Sequence, residues 1–285
     1  MGNKADKNAY TLSAQELRSL QMVLFEMLVE IDRICKKYKI EYGIDGGTLL
    51  GAVRHKGFIP WDDDLDIVMM RSEYIKLREA CKNELDKTRF FFQDNTTDPN
   101  YRWGYGRIRR LDSEFVRCGQ EHLKMKTGIF LDIFPRDDVP DFYPLRLCHA
   151  FRCFFWRKVL YSEVGKVNSP SLIQRGVYKM LNAIPAARAF RAYEKIANKL
   201  NAKHTSFVRC YGFTIATKQK QIFAYPRKWF EEFAPIEFEG EIFPTCKDYH
   251  EYLTFVYGDY MLLPPPEQRR WHPCSSFKLP KGFEV

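Results

Sequence analysis

A chain of 285 residues with 45% hydrophobic and 15% aromatic content has apolar matter for one large core or two modest ones, which excludes a disordered chain. Its net charge of +9 is spread without a basic tail and favours anionic partners: nucleotides, phosphorylated polymers, acidic membrane surfaces or nucleic acid. Eight cysteines include no Cys-x-x-Cys pair, and no His-x₃₋₅-His spacing accompanies them, which argues against structural zinc and for a reduced compartment. The first fifteen residues hold no apolar signal segment, and Asp6 stands where a myristoylation signal has Ser or Thr, so a cytosolic protein is expected.

Along the chain, Ser13 and Glu16 have capping-box spacing. Leu17, Leu20, Leu24, Leu28, Ile31, Cys35 and Tyr38 follow at three- and four-residue steps, which predicts a helix over 14–38. A strand-like stretch at 41–45 meets Gly46-Gly47, which opens a short helix through Leu49, Leu50 and Val53. Residues 64–70 read as a strand and 72–86 as an amphipathic helix, with further strands at 90–93, 104–110, 115–118 and 128–134. From 145 to 161 an apolar run carries Arg146, His149, Arg152, Arg157 and Lys158, too many charges for a membrane span. It reads as a core helix with its basic face in solvent, or as a basic amphipathic helix on an anionic membrane or glycolipid. Residues 172–202 look helical with interruptions at Gly176 and Pro185, and 205–260 alternates short aromatic segments with turns. The expected organisation is a mixed α/β core over 1–140 and a mainly helical accessory or acceptor-binding region over 141–285.

The chemistry concentrates between Tyr42 and Met70. In Asp62-Asp63-Asp64-Leu65-Asp66, strand alternation puts Asp64 and Asp66 on one side, roughly 6–7 Å apart, and turns Asp63 away. Two such carboxylates suit Mg²⁺, which takes a few carboxylates plus substrate phosphate oxygens. Asp62, Asp64, Asp66 and Glu73 also fit positions 1, 3, 5 and 12 of a calcium loop, but position 6 is Ile67 where the turn requires Gly, which excludes that loop. A solvated acidic turn is the remaining competitor. Gly46 and Gly47, with Thr48 in the first helical turn, offer amides for a phosphate. Farther on, Asp132 sits amid bulky apolar residues in Gly-Ile-Phe-Leu-Asp-Ile-Phe-Pro. A lone buried Asp is costly unless paired or metal-bound, so it reads as a third ligand or a general base, against an Asp hydrogen-bonded to backbone.

The segments GGTLLGAVRH, IPWDDDLDI and GIFLDIFP, with YGDY…LPPPE-x-R-x-x-H near 257–272, closely resemble the LicD family, which includes the fukutin-type transferases. The resemblance implies an α/β nucleotidyltransferase-like mixed sheet flanked by helices, with a helical C-terminal half whose tail returns to the site. It implies transfer, dependent on Mg²⁺ or Mn²⁺, of a phosphoalcohol from a CDP-linked donor to a glycan or glycolipid hydroxyl. Phosphocholine from CDP-choline is the expected group, on teichoic acid or lipopolysaccharide; ribitol or glycerol phosphate, and nucleotidyl transfer to RNA or a small molecule, are alternatives. No nucleic-acid partner is expected, and the basic stretch 145–161 leaves peripheral contact with the inner membrane face open. On this sequence Asp64, Asp66 and Asp132 become metal ligands and catalytic residues, and Gly46 and Gly47 the phosphate turn. Arg54 and His55 fall in the matching loop, with Arg54 facing the diphosphate. Arg107, Arg109, Arg269 and His272 are further candidates for phosphate contact, each weighed against a surface or salt-bridge role. Trp61, Trp103, Tyr101 and Tyr105 lie near enough in sequence to form a choline cage, against a plain role as core aromatics.

Overall fold

The computed structural model describes residues 9–213, 222–269 and 271–284. Helix α1 (Ala14–Tyr38) has the predicted bounds because both of its ends are capped. The Ser13 hydroxyl accepts from the Glu16 amide, the Glu16 carboxylate accepts from the Ser13 amide, and Lys39 in the left-handed region closes the last turn. Its inner stripe of Leu20, Leu24, Leu28, Ile31 and Cys35 is fully buried against the sheet and α3.

Strand β1 (Gly43–Ile44), α2 (Gly46–His55), β2 (Asp66–Met70), α3 (Arg71–Glu84), β3 (Phe90–Gln93), β4 (Gly106–Arg110), β5 (Glu114–Arg117) and β6 (Phe130–Val139) follow. The strand expected from residue 64 begins at Asp66, so Asp64 lies in its extended lead. Then come α4 (Tyr143–Asn168), α5 (Leu172–Asn182), α6 (Ala186–Leu200), β7 (Phe207–Arg209), β8 (Tyr225–Pro226), β9 (Phe233–Phe238), β10 (Glu241–Cys246), α7 (Tyr249–Tyr257) and β11 (Cys274–Lys278). Pro185 separates α5 from α6, whereas Gly176 sits inside α5 without breaking it.

The main sheet is mixed, in the order β3-β4-β6-β2-β1-β10-β9, with β6 parallel to β2 and antiparallel to β4. It therefore draws strands from both sides of residue 140. All ten residues of β6 are buried, because its first half lies between β2 and β4 while its last three residues pair with β7. Strand β11 returns the tail to β5 as a separate two-stranded ribbon. A second, smaller core of Val139, Cys153, Leu160, Ala189, Tyr193, Ile196 and Tyr211 lies under α4 and α6.

Helix α4 meets one expectation only in part. Arg152 is exposed and Arg157 and Lys158 are half-buried, but Arg146 and His149 face inward, while Phe151 and Phe154 face solvent. Arg146 is held inside by the carbonyls of Pro140 and Asp141 and by the Phe207 ring.

Backbone contact between Gly104 and Gly212 admits no side chain: a Cβ on Gly104 would lie 2.8 Å from the Gly212 Cα and 3.0 Å from the Tyr193 ring. Gly104→Ala should therefore cost about 1–3 kcal/mol as overpacking. A Cβ on Gly176 meets nothing within 4 Å, so Gly176→Ala should stabilise helix α5, by roughly 0.5–1 kcal/mol. Paired urea melts with opposite signs are the expected result.

Candidate active site

Asp66 on β2, Asp132 on β6 and Arg107 on β4 are register partners across three adjacent strands, which sets their side chains in one row on one face. At the centre, Arg107 Nε donates to Asp132 Oδ1 at 2.5 Å, and both side chains are buried. Aromatic rings surround the guanidinium, with Phe130 at 3.9 Å, Trp103 at 5.2 Å, Tyr105 at 5.6 Å and Tyr101 at 5.9 Å. Three of the four aromatics read as a choline cage thus already enclose the chain's own cation. The fourth, Trp61, carries the Arg269 guanidinium at 4.3 Å.

The row is tied to the start of α2. The Asp66 amide donates to Thr48 Oγ1 at 2.9 Å, and the Asp66 carbonyl accepts from the Asp45 amide at 3.0 Å. Thr48 is buried and positions the first residue of β2. Gly46 adopts φ of +56°, a left-handed conformation, and a Cβ there would lie 3.5 Å from Asp66 Oδ2. A Cβ on Gly47 would lie 2.9 Å from Asp62 Oδ2. The positive end of α2 therefore opens directly onto Asp62 and Asp66.

Five carboxylates converge here: Asp45, Asp62, Asp64, Asp66 and Asp132. Asp45 is neutralised by Arg136 at 2.6 Å and also accepts from the Tyr252 hydroxyl. Asp64 lies 3.9 Å from Arg117 Nη2. For Asp66, no ion pair or side-chain hydrogen bond is formed among the described residues. Burial, and then the charges of Asp64, Asp132, Asp45 and Asp62, push its carboxyl pKa well above the ordinary range. Burial followed by Asp64 does the same to Asp62. Burial also raises Asp64, against the lowering pull of His272 and Arg117. An unpaired carboxylate raised by four neighbouring acids suits a hard divalent cation with oxygen ligands, which would reverse this repulsion.

Asp63 does not point away. It is buried and accepts from the His272 amide at 2.9 Å and from His272 Nδ1 at 3.0 Å, while the same Nδ1 lies 3.3 Å from Asp64 Oδ2. Among the described residues, Asp63, Asp64 and His272 form the group of three whose ligand atoms lie within 4.8 Å of one another. Asp64, Asp66 and Asp132 interact electrostatically without closing to that radius.

Other expected contacts lie elsewhere. Arg54 and His55 occupy the last turn of α2, about 12 Å along the helix from Gly46. Arg54 donates to the Tyr260 and Leu262 carbonyls and so holds that loop, and His55 packs edge-on against Trp61. Arg109 is buried on Gln93 and the Gly128 carbonyl, and burial and then Arg107 bring its pKa down to about 9. Arg269 donates to the Pro264 carbonyl beside Trp61. Asp45, Asp63, Arg117 and Arg136 join the site without being expected there from sequence, and Asp62 joins it as a strand beginning earlier than residue 64 would have placed it. Asp62 shares the parity of Asp64 and Asp66, which is a signal for it; Arg117 and Arg136 carry none. Arg117 joins Arg102, Trp103, Arg157, Lys158 and Tyr161 around a cavity of about 340 Å³, so a cationic recess adjoins the acidic one.

Because the folded state holds protons on Asp66 and Asp62 that the unfolded chain releases, metal-free protein should lose stability as pH rises from the ordinary carboxylate range. Asp66→Asn should therefore raise the melting temperature in chelator at neutral pH. Asp132→Asn should lower stability by about 3–5 kcal/mol, since it leaves Arg107 buried without its partner. Melting curves that fall for both variants would refute the repulsion argument.

Residues 39–157 match the family model described as LicD/FKTN/FKRP, nucleotidyltransferase domain. The lipopolysaccharide cholinephosphotransferase LicD of Haemophilus influenzae is 29% identical over 269 residues, covering 90% of this chain and 95% of that protein. An uncharacterized protein of Rickettsia prowazekii is 39% identical over 141 residues, covering 47% of this chain and 48% of its own length. The stretch that matches the family's nucleotidyltransferase domain thus spans Gly46 through Asp132, and with them the row of acids described above.

Proposed function

We propose that this protein is a phosphotransferase that moves phosphocholine from CDP-choline to a hydroxyl of a lipopolysaccharide- or teichoic-acid-type glycan and releases CMP. The observation that carries the reading is the row Asp66–Asp132–Arg107 meeting the positive end of α2, with Asp62 and Asp64 beside it. The likeness to a lipopolysaccharide cholinephosphotransferase over nearly its whole length supports the choice of group and acceptor.

Asp62, Asp64, Asp66 and Asp132 are the residues that would hold Mg²⁺ or Mn²⁺. When bound, the ion neutralises charge on the donor's diphosphate and improves CMP as a leaving group. Arg107 fixes the orientation of Asp132 by holding its carboxylate. Amides at Gly46 and Gly47 and the guanidinium of Arg117 add positive charge for phosphate oxygens. His272 turns Nδ1 toward Asp63 and Asp64, which places the proton on that nitrogen and leaves Nε2 as an acceptor for the attacking hydroxyl.

A second donor class stays in view for a specific reason. Arg107 and Arg269 already fill the aromatic faces nearest the motif, so those rings give no preference for a quaternary ammonium over ribitol or glycerol.

Incubation with Mg²⁺, a glycan acceptor and CDP-choline, CDP-ribitol or CDP-glycerol should release CMP fastest from CDP-choline. Label from the cytidine appearing on the acceptor would instead establish nucleotidyl transfer. Asp64→Asn and Asp66→Asn should each lower turnover on the order of 10³-fold, equivalent to roughly 4 kcal/mol of barrier. Arg117→Met should lower kcat/KM by about 10–100-fold with little change in melting temperature.

A further inference from the structure

Helices α4 and α5 carry their polarity inverted for elements that face water. Inward, α4 buries Arg146, His149 and Cys153. Outward, at helical spacing, it presents Leu147, Phe151 (70% exposed), Phe154, Phe155 and Tyr161. On α5 no residue is buried, and Leu172 and Ile173 are each 81% exposed, with Val177 and Met180 on the same stripe. Apolar stripes of this size mark a surface that is covered in use.

Charge identifies the cover. Between Phe142 and Asn182 the cations at the surface are Arg152, Arg157, Lys158, Lys166, Arg175 and Lys179, opposed by the single carboxylate Glu163. Lys158 lies over the Phe154 and Tyr161 rings and Arg157 over Phe154, so the cations border the apolar side chains directly. Two copies of such a surface repel each other, which disfavours self-association. Among the described residues no helix is long and apolar enough to cross a membrane. An apolar aromatic stripe edged by Lys and Arg matches the boundary of an anionic bilayer, where rings enter the headgroup region and cations meet phosphate.

We infer that the α4–α5 hairpin is a docking surface for an anionic phospholipid bilayer. Arg157, Lys158 and Tyr161 of the same hairpin also line the cationic cavity beside Arg117, so the docking helix is shared with a wall of the candidate site. The inference stands on the surface alone and holds whichever group the enzyme transfers.

Flotation of the full chain with vesicles tests it. Binding is expected to vesicles of phosphatidylcholine with about 30 mol % phosphatidylglycerol, and to fall about tenfold or more on phosphatidylcholine alone or at roughly 0.5 M salt. The triple variant Phe151→Gln, Leu172→Gln, Ile173→Gln and the double variant Arg152→Glu, Lys179→Glu should each weaken binding by about tenfold or more. Circular-dichroism melts run alongside establish that each variant is folded; if the triple variant is not, the charge-reversal pair decides. No binding to anionic vesicles overturns the inference, as does equal binding to neutral ones or binding that the variants leave unchanged. A dimer in sedimentation equilibrium that the charge-reversal pair strengthens, without vesicle binding, would overturn it by assigning the surface to a second copy.

Discussion

The rest of the site depends on one constraint: carboxylates gathered at close range repel unless each has a cation. The protein answers it differently along one row. Asp132 receives Arg107 and Asp45 receives Arg136 as cations, and Asp63 receives a hydrogen bond from His272, all through contacts of 3.0 Å or less. Asp66 receives none of these. Its charge is set against four like neighbours at the mouth of a helix whose amides point the same way. An arrangement that leaves Asp62 and Asp66 without a cation, beside acids that have one, sacrifices stability of the fold as it stands.

Arg107 shows how deep this goes. A guanidinium buried among Tyr101, Trp103, Tyr105 and Phe130 is tolerated because Asp132 neutralises it and the rings supply their negative faces. The pair then acts as a fixed strut between β4 and β6. Since Asp66 is the next position in the row, the strut also sets where the unpaired carboxylate stands. Removing Asp132 would leave a buried cation without its partner and loosen the contact between β4 and β6.

Much of this is legible in the sequence, for local reasons. The capping box and four-residue stripe set the bounds of α1, and Gly46-Gly47 followed by Thr-Leu-Leu locates a turn entering a helix. Asp64, Asp66 and Asp132 are recognisable because acids next to apolar strand residues need a reason to be there. What sequence does not reveal depends on distance along the chain. Arg117 meets Asp64 across 53 positions, and Arg136 meets Asp45 across 91. Arg54 reads as a phosphate ligand by its place in the motif, but one helix of ten residues carries it to the far end from Gly46. The aromatics read as a ligand cage because nothing local announces that an arginine two residues along, such as Arg107 after Tyr105, will fill it.

The tail shows why the acidic motif and the last thirty residues belong to one site. His272 is 209 positions from Asp63, yet Asp63 binds both its amide and its ring. Two residues later β11 begins, pairing with β5, the strand that ends in Arg117. The ribbon thus delivers a histidine and an arginine to the same carboxylate oxygen of Asp64. The acidic run thus divides by partner: Asp62, Asp64 and Asp66 raise one another's charge repulsion, while Asp63 accepts both the amide and the ring of His272 and so secures the tail beside them.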